Sequence, residues 1–163
     1  MDYLFVKDFI ESIENSGYCI DRLKQRGVKE LLADNPDIAK NFPMICCEYT
    51  EDSVFESSIH DSKFINDRSH EGDWFVIGDE DEVYCILNLQ EHGQYLVIDA
   101  IEVNAQMRGK GIGGKIIDII ESVGEEYYNY IEVSPFDTRA INFWESREYV
   151  ESNNGTWILY IGY

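Results

Sequence analysis

Residues 108–115 read RGKGIGGK, which puts four glycines and three cations into eight positions. Glycines at this density let the backbone curl until several N–H groups converge on one point, and Arg108, Lys110 and Lys115 surround that point with positive charge. A phosphate or diphosphate fits such a turn. Gly109 to Lys115 satisfies GxxxxGK, but position 116 is Ile, which has no hydroxyl for Mg2+. Gly109, Gly111 and Gly114 also satisfy GxGxxG, and Glu132 lies near the spacing of a ribose-binding acid. That design turns directly from strand to helix, whereas NAQMR intervenes here, and fewer than fifty residues follow Gly114. The third match is Arg108-x-x-Gly111-x-Gly113, following a short bend and opening an amphipathic helix.

The charge around this turn is uneven. No Lys or Arg occurs between Arg68 and Arg108, while Glu71, Asp73, Asp79, Glu80, Asp81, Glu82, Glu91, Asp99 and Glu102 fall in that interval. An anion site therefore adjoins a region that attracts cations. The net charge of −19 disfavours nucleic acid as a partner and favours positively charged molecules. Cys19, Cys46, Cys47 and Cys85 lack CxxC spacing, and His60, His70 and His92 are scattered, so no metal is expected. The start, MDYLFVKDFIESIEN, lacks a signal-peptide pattern, and no apolar run reaches membrane-spanning length. A cytoplasmic protein with no membrane partner is the expectation.

With 163 residues, 44% of them hydrophobic, one domain over 1–163 is expected. Residues 1–70 form a divergent, mainly helical part, in which Val6, Phe9, Ile10 and Ile13 recur at helical spacing; FPMICCEY reads as a strand. Residues 54–70 have no clear period. Residues 73–160 are the motif-bearing core. DWFVIGDEDEVYCILNLQ and QYLVIDAIEV predict an antiparallel meander. Ile112, Ile116, Ile119, Ile120 and Val123 predict a helix after the glycines, and YYNYIEV a strand parallel to QYLVIDAIEV. DTRAINFWESRE predicts a second helix capped by Asp137 or Thr138. TWILYIGY closes the chain as a strand whose free edge could pair with a second copy, giving a homodimer.

The pattern at Arg108, Gly111 and Gly113, together with the later segment YIEVSPFDTRAINFWESREYV, resembles the GCN5-related N-acetyltransferase (GNAT) family across roughly residues 73–160. The resemblance implies an α/β (α+β) fold: a mixed, mostly antiparallel central sheet flanked by helices, with one splayed parallel strand pair. It implies acetyl-coenzyme A as co-substrate and direct transfer of its acetyl group to a primary amine of a small-molecule or peptide acceptor. The acidic composition points to a cationic acceptor. Arg108, Gly109, Lys110, Gly111, Ile112, Gly113, Gly114 and Lys115 would then hold the coenzyme's phosphates, and backbone N–H groups near Ile101 and Val103 its thioester.

For the general base two carboxylates are candidates. Glu102 alternates with Leu96, Ile98 and Ala100, so it is expected on an apolar face where burial raises its pKa. Glu132 falls, by motif count, where some family members carry a catalytic glutamate, and is expected to share a face with Tyr128 and Tyr130. The chain also departs from the family. Asp137 stands where an Asn often touches the pantetheine arm, and Trp144 where a tyrosine often protonates the leaving thiolate. Tyr149 and Tyr128 are stand-in acids. The first seventy residues lack an obvious one-strand, two-helix opening. These departures leave a second reading, a non-catalytic acyl-coenzyme A-binding regulatory module.

Overall fold

A computed structural model describes residues 3–47, 72–153 and 155–162. In chain order the elements are helix α1 (Tyr3–Asn15), strand β1 (Cys19–Leu23), helices α2 (Gln25–Asp34), α3 (Pro36–Ala39) and α4 (Pro43–Ile45), then the meander β2 (Asp73–Gly78), β3 (Val83–His92) and β4 (Tyr95–Val103). A 3-10 turn (Ala105–Met107) leads to α5 (Ile112–Gly124), and β5 (Tyr130–Val133), α6 (Thr138–Ser146), β6 (Val150–Asn153) and β7 (Thr156–Tyr160) complete the chain. The seven strands form one sheet ordered β1-β2-β3-β4-β5-β7-β6. Among the described strands only β4 and β5 pair in parallel, so the sheet is mixed and mostly antiparallel, as expected.

Each sheet face carries its own apolar layer. On one face, Phe5, Phe9 and Ile13 of α1 and Ile112, Ile116, Ile117 and Ile120 of α5 pack against Phe75, Leu87, Leu89, Leu96 and Ile131. On the other, Val28 and Leu32 of α2 and Ile45 of α4 pack on Trp74, Val76 and Ile86. Burying a side chain of this size contributes about 1.5–3 kcal/mol, so these stripes dictate which way each helix faces.

Three expectations change. Residues 19–23 are a strand, not helix: β1 has little apolar alternation and is held at the sheet edge by Arg22, whose Nε donates to Asp73 Oδ1 at 2.9 Å. From Cys19 the described chain runs strand β1 and then the three helices α2, α3 and α4, behind helix α1. FPMICCEY is not a strand where it is described, because Pro43 starts a helical turn. Residues 54–70 lie outside the described residues. Finally, β7 lies between β5 and β6 and has no free edge, which removes the basis given for strand-edge dimerisation.

Helix α6 ends in a Schellman motif. Tyr149 N donates to Trp144 O at 3.1 Å and Glu148 N to Glu145 O at 3.0 Å, while Tyr149 packs its ring on Trp144. Glu148 occupies the left-handed position, φ 72°, that glycine adopts without strain. Glu148→Gly is therefore expected to stabilise the fold by about 1 kcal/mol, raising Tm by about 2–4 °C in calorimetry. An unchanged Tm would show that the exposed Glu148 has a compensating interaction.

Candidate active site

The glycine turn is built from the end of β4. Asn104 fixes the bend that follows: its Nδ2 donates to Val83 O at 2.9 Å and its Oδ1 accepts from Gln106 N at 2.9 Å. The chain then reaches Gly111, the N-cap of α5, in the left-handed conformation at φ 78°. A glycine cap has no side chain to accept from the helix. The N–H groups of Ile112, Gly113 and Gly114 precede the first intrahelical bond, in which Lys115 N donates to Gly111 O at 3.0 Å. Gly113 lets the turn lie close to β4, since a Cβ there would sit 3.2 Å from Val103 Cγ2. Arg108, Lys110 and Lys115 are exposed around it. A helix N-terminus with uncapped first-turn N–H groups and three exposed cations nearby has the chemistry to attract an anion.

Beside this turn the sheet opens. β5 accompanies β4 only from Tyr95↔Tyr130 to Ile98↔Val133, while β4 continues to Val103. Two local features separate the strands. Pro135 follows β5 and has no N–H for a ladder. On β4, Asn88 faces Ala100 but the next residue of β3, Leu89, faces Ile98, so Asp99 is an extra residue. Such a bulge bends its strand. The edge of β4 carrying Ile101 and Val103 is thereby left without β5, next to the glycine turn.

The same bulge corrects the reading of Glu102. Leu96 and Ile98 belong to the layer under α1 and α5, whereas Ala100 packs with the layer under α2 and α4. Glu102 follows Ala100 and does not share a face with Leu96 and Ile98. It is 4% exposed, and it is engaged. Oε1 accepts from Ile45 N at 2.9 Å, Oε2 accepts from Met44 N at 3.2 Å, and the Arg108 guanidinium lies 3.6 Å away. Burial raises its pKa, as expected, and these two N–H donors and Arg108 pull it partly back. Its carboxylate caps the first turn of α4, a role no sequence pattern announces because Met44 and Glu102 are far apart in the chain.

Glu132 stands on β5 between buried Ile131 and Val133, on the same face as Tyr130 and opposite Val97 of β4. It is half-buried, and its side chain makes no hydrogen bond or ion pair with another described residue. Tyr128, expected beside it, belongs instead to the layer under α1 and donates to Glu91 Oε2 at 2.6 Å. Tyr149 is 1% exposed and donates to Glu121 Oε2 at 2.9 Å, and burial pushes its phenol well above the usual range. Neither phenol is free at the opening of the sheet. Trp144 is core, packed edge-on to Tyr149, while its neighbour Phe143 is the exposed ring. Asp137 resolves the choice of cap, accepting from Ala140 N at 2.7 Å.

Among the described residues, no three His, Cys, Asp or Glu converge as metal ligands, and no helix is long and apolar enough to cross a membrane. The site thus pairs an anion-binding turn on the α5 face with a half-buried carboxylate, Glu132, on the other face, across an opening between parallel strands.

The family model of the acetyltransferase (GNAT) family matches residues 41–149. Among solved structures, Ard1 from Thermoplasma volcanium superposes with a TM-score of 0.53 at 12% identity, covering 86% of this chain and 94% of that one. The ribosomal-protein-S18-alanine N-acetyltransferase of Escherichia coli matches at 0.49 and 14% identity, over 55% of this chain and 69% of that chain. A putative streptothricin acetyltransferase of Bacillus anthracis, in complex with acetyl coenzyme A, matches at 0.49 and 15%, over 55% and 63%. The search of curated proteins finds no match.

Proposed function

Since the chain belongs to the acetyltransferase (GNAT) family, we propose that it transfers an acetyl group from acetyl-coenzyme A directly to the primary amine of a cationic acceptor. The observation that carries this reading is the left-handed Gly111 cap of α5, with its uncapped first-turn N–H groups, beside the unpaired edge of β4. The coenzyme supplies an activated acetyl thioester. Ile112, Gly113 and Gly114 bind its diphosphate through main-chain N–H groups, with Arg108, Lys110 and Lys115 around them. Ile101 and Val103 border the reacting carbonyl. The donor approaches from the α5 face, which leaves the opposite face for the amine.

The amine must lose a proton before it attacks. An alkylammonium of ordinary pKa is neutral so seldom at pH 7 that deprotonation costs about 4–5 kcal/mol. Glu132 faces the acceptor side without a competing partner among the described residues, and we assign it as general base. Glu102 is assigned a positioning role, because both of its oxygens already accept main-chain N–H groups. The acidic sheet supports a cationic acceptor, and the same charge argues against nucleic acid.

A ligand panel tests the reading. Acetyl-coenzyme A at 100 times its Kd is expected to stabilise the fold by about 2.7 kcal/mol in a melting experiment, and ATP or NAD not at all. Free thiol should then appear when amines are added. Gly111→Ala strains the left-handed cap by about 1–2 kcal/mol, so affinity for the coenzyme is expected to fall roughly tenfold. Stabilisation by ATP or NAD instead would overturn the assignment of the turn.

A further inference from the structure

His92, Tyr95, Tyr130 and Tyr160 come from β3, β4, β5 and β7, and successive members are register partners. Their rings form a continuous row across four strands, with centroids 5.5, 4.7 and 5.7 Å apart. Apolar area of this size is normally covered, yet His92 is exposed and Tyr160 is 70% exposed. Tyr130 is two residues before Glu132 and on its face of β5, so the row runs beside the proposed base, at the end of the parallel pair away from the opening.

We propose that this row is a distal subsite for the far end of the acceptor, and that the acceptor is a linear aliphatic polyamine. This rests on the acetyl-transfer reading above. Three observations select the occupant. A cation is attracted to an open aromatic face; Tyr95 is stacked between His92 and Tyr130, whereas Tyr160, tilted 59° from Tyr130 and 70% exposed, leaves such a face open at the end of the row. Strands β2 to β7 contain no Lys or Arg, so nothing on those strands competes for the carboxylate and the rings. The strands under the row are paired with their neighbours, so the face presents side chains and not main-chain donors. A peptide would find no main-chain partners there, whereas an alkyl chain with spaced ammonium groups needs none. From Tyr130 to Val133, where the strands part, is three residues, or about 10 Å at the rise of a strand. The subsite therefore suits an amine whose second or third nitrogen lies about 10 Å from the reacting one.

The test compares spermidine, n-butylamine and a basic tetrapeptide with wild type, Tyr130→Leu/Tyr160→Leu and Tyr130→Phe. The double Leu variant is expected to raise KM for spermidine about five- to thirtyfold, with kcat unchanged and KM for butylamine within twofold. Tyr130→Phe keeps the ring and should keep the wild-type KM. An equal rise for butylamine, a Phe variant as impaired as Leu, or a loss seen with the peptide and not spermidine would overturn the subsite. Tyrosine ring resonances titrated with spermidine in the absence of coenzyme separate the two readings. Shifts in this row without turnover by any amine retain the subsite and refute acetyl transfer; turnover indifferent to the row does the reverse.

Discussion

Glu132→Gln is expected to lower kcat/KM for the preferred amine by about 10²–10⁴-fold, the range by which a positioned base assists a proton transfer. Gln keeps the size and polarity of the side chain, and Glu132 holds no described partner whose loss would loosen the sheet. Tm should therefore stay within about 1 °C and affinity for acetyl-coenzyme A should not change. The defect should shrink as pH is raised, because solution then supplies the neutral amine that the variant no longer generates. Acceptors of lower pKa should be less affected for the same reason. A Gln variant with wild-type turnover across this pH range would remove Glu132 from the chemistry and leave proton removal to water. A wild-type protein that binds the coenzyme and turns over no amine would instead support the non-catalytic acyl-coenzyme A-binding module.

Some of this was legible from the sequence because the signals were local. The isoleucines of α5 repeat at helical spacing, Gly111 needs a left-handed backbone, and the meander from Asp73 to Val103 alternates strongly; each is a statement about neighbours in the chain. The order of motifs then sufficed for the sheet and its parallel pair. What was not legible was non-local. β1 is a five-residue strand with one face no more apolar than the other, and its existence depends on pairing with β2 and on the Arg22–Asp73 bond. β6, reading VESN, is exposed at every position, so nothing marked it as the strand that covers β7.

The bulge at Asp99 has the largest consequence for the site. Alternation along YLVIDAIEV looks unbroken, yet one extra residue reverses the facing of everything after it, which moved Glu102 from the α5 face to the α4 face. Only the register with β3 reveals the slip. The two candidate bases are consequently separated by environment and not by residue type: one carboxylate is capped and buried, the other half-buried and unengaged.

That difference predicts a loss of stability, not of chemistry, when Glu102 is changed. Glu102→Ala leaves the buried Ile45 N–H and the partly buried Met44 N–H without their acceptor and removes the tie between α4 and β4. An orphaned buried donor together with a lost helix cap costs about 2–4 kcal/mol, so Tm is expected to fall by about 5–15 °C. Glu102→Gln keeps one acceptor oxygen and should fall less. The pH dependence has a defined sign. The folded-state pKa of Glu102 is raised from its ordinary 4.5, chiefly by burial. The folded state therefore binds this proton more tightly than the unfolded state, and the contribution is greatest below 4.5 and declines as pH rises through the raised value. The stability advantage of wild type over Glu102→Gln, measured by urea denaturation, is thus expected to be larger near the ordinary carboxylate pKa than at pH 8. If Glu102 were the base, the pattern would invert, with turnover collapsing in Glu102→Gln at an unchanged Tm. Arg108 links the two sites: its guanidinium is 3.6 Å from Glu102 and belongs to the glycine turn. Loss of Glu102 frees that charge for the diphosphate, so coenzyme affinity in the folded variant should hold or rise even as the protein melts earlier.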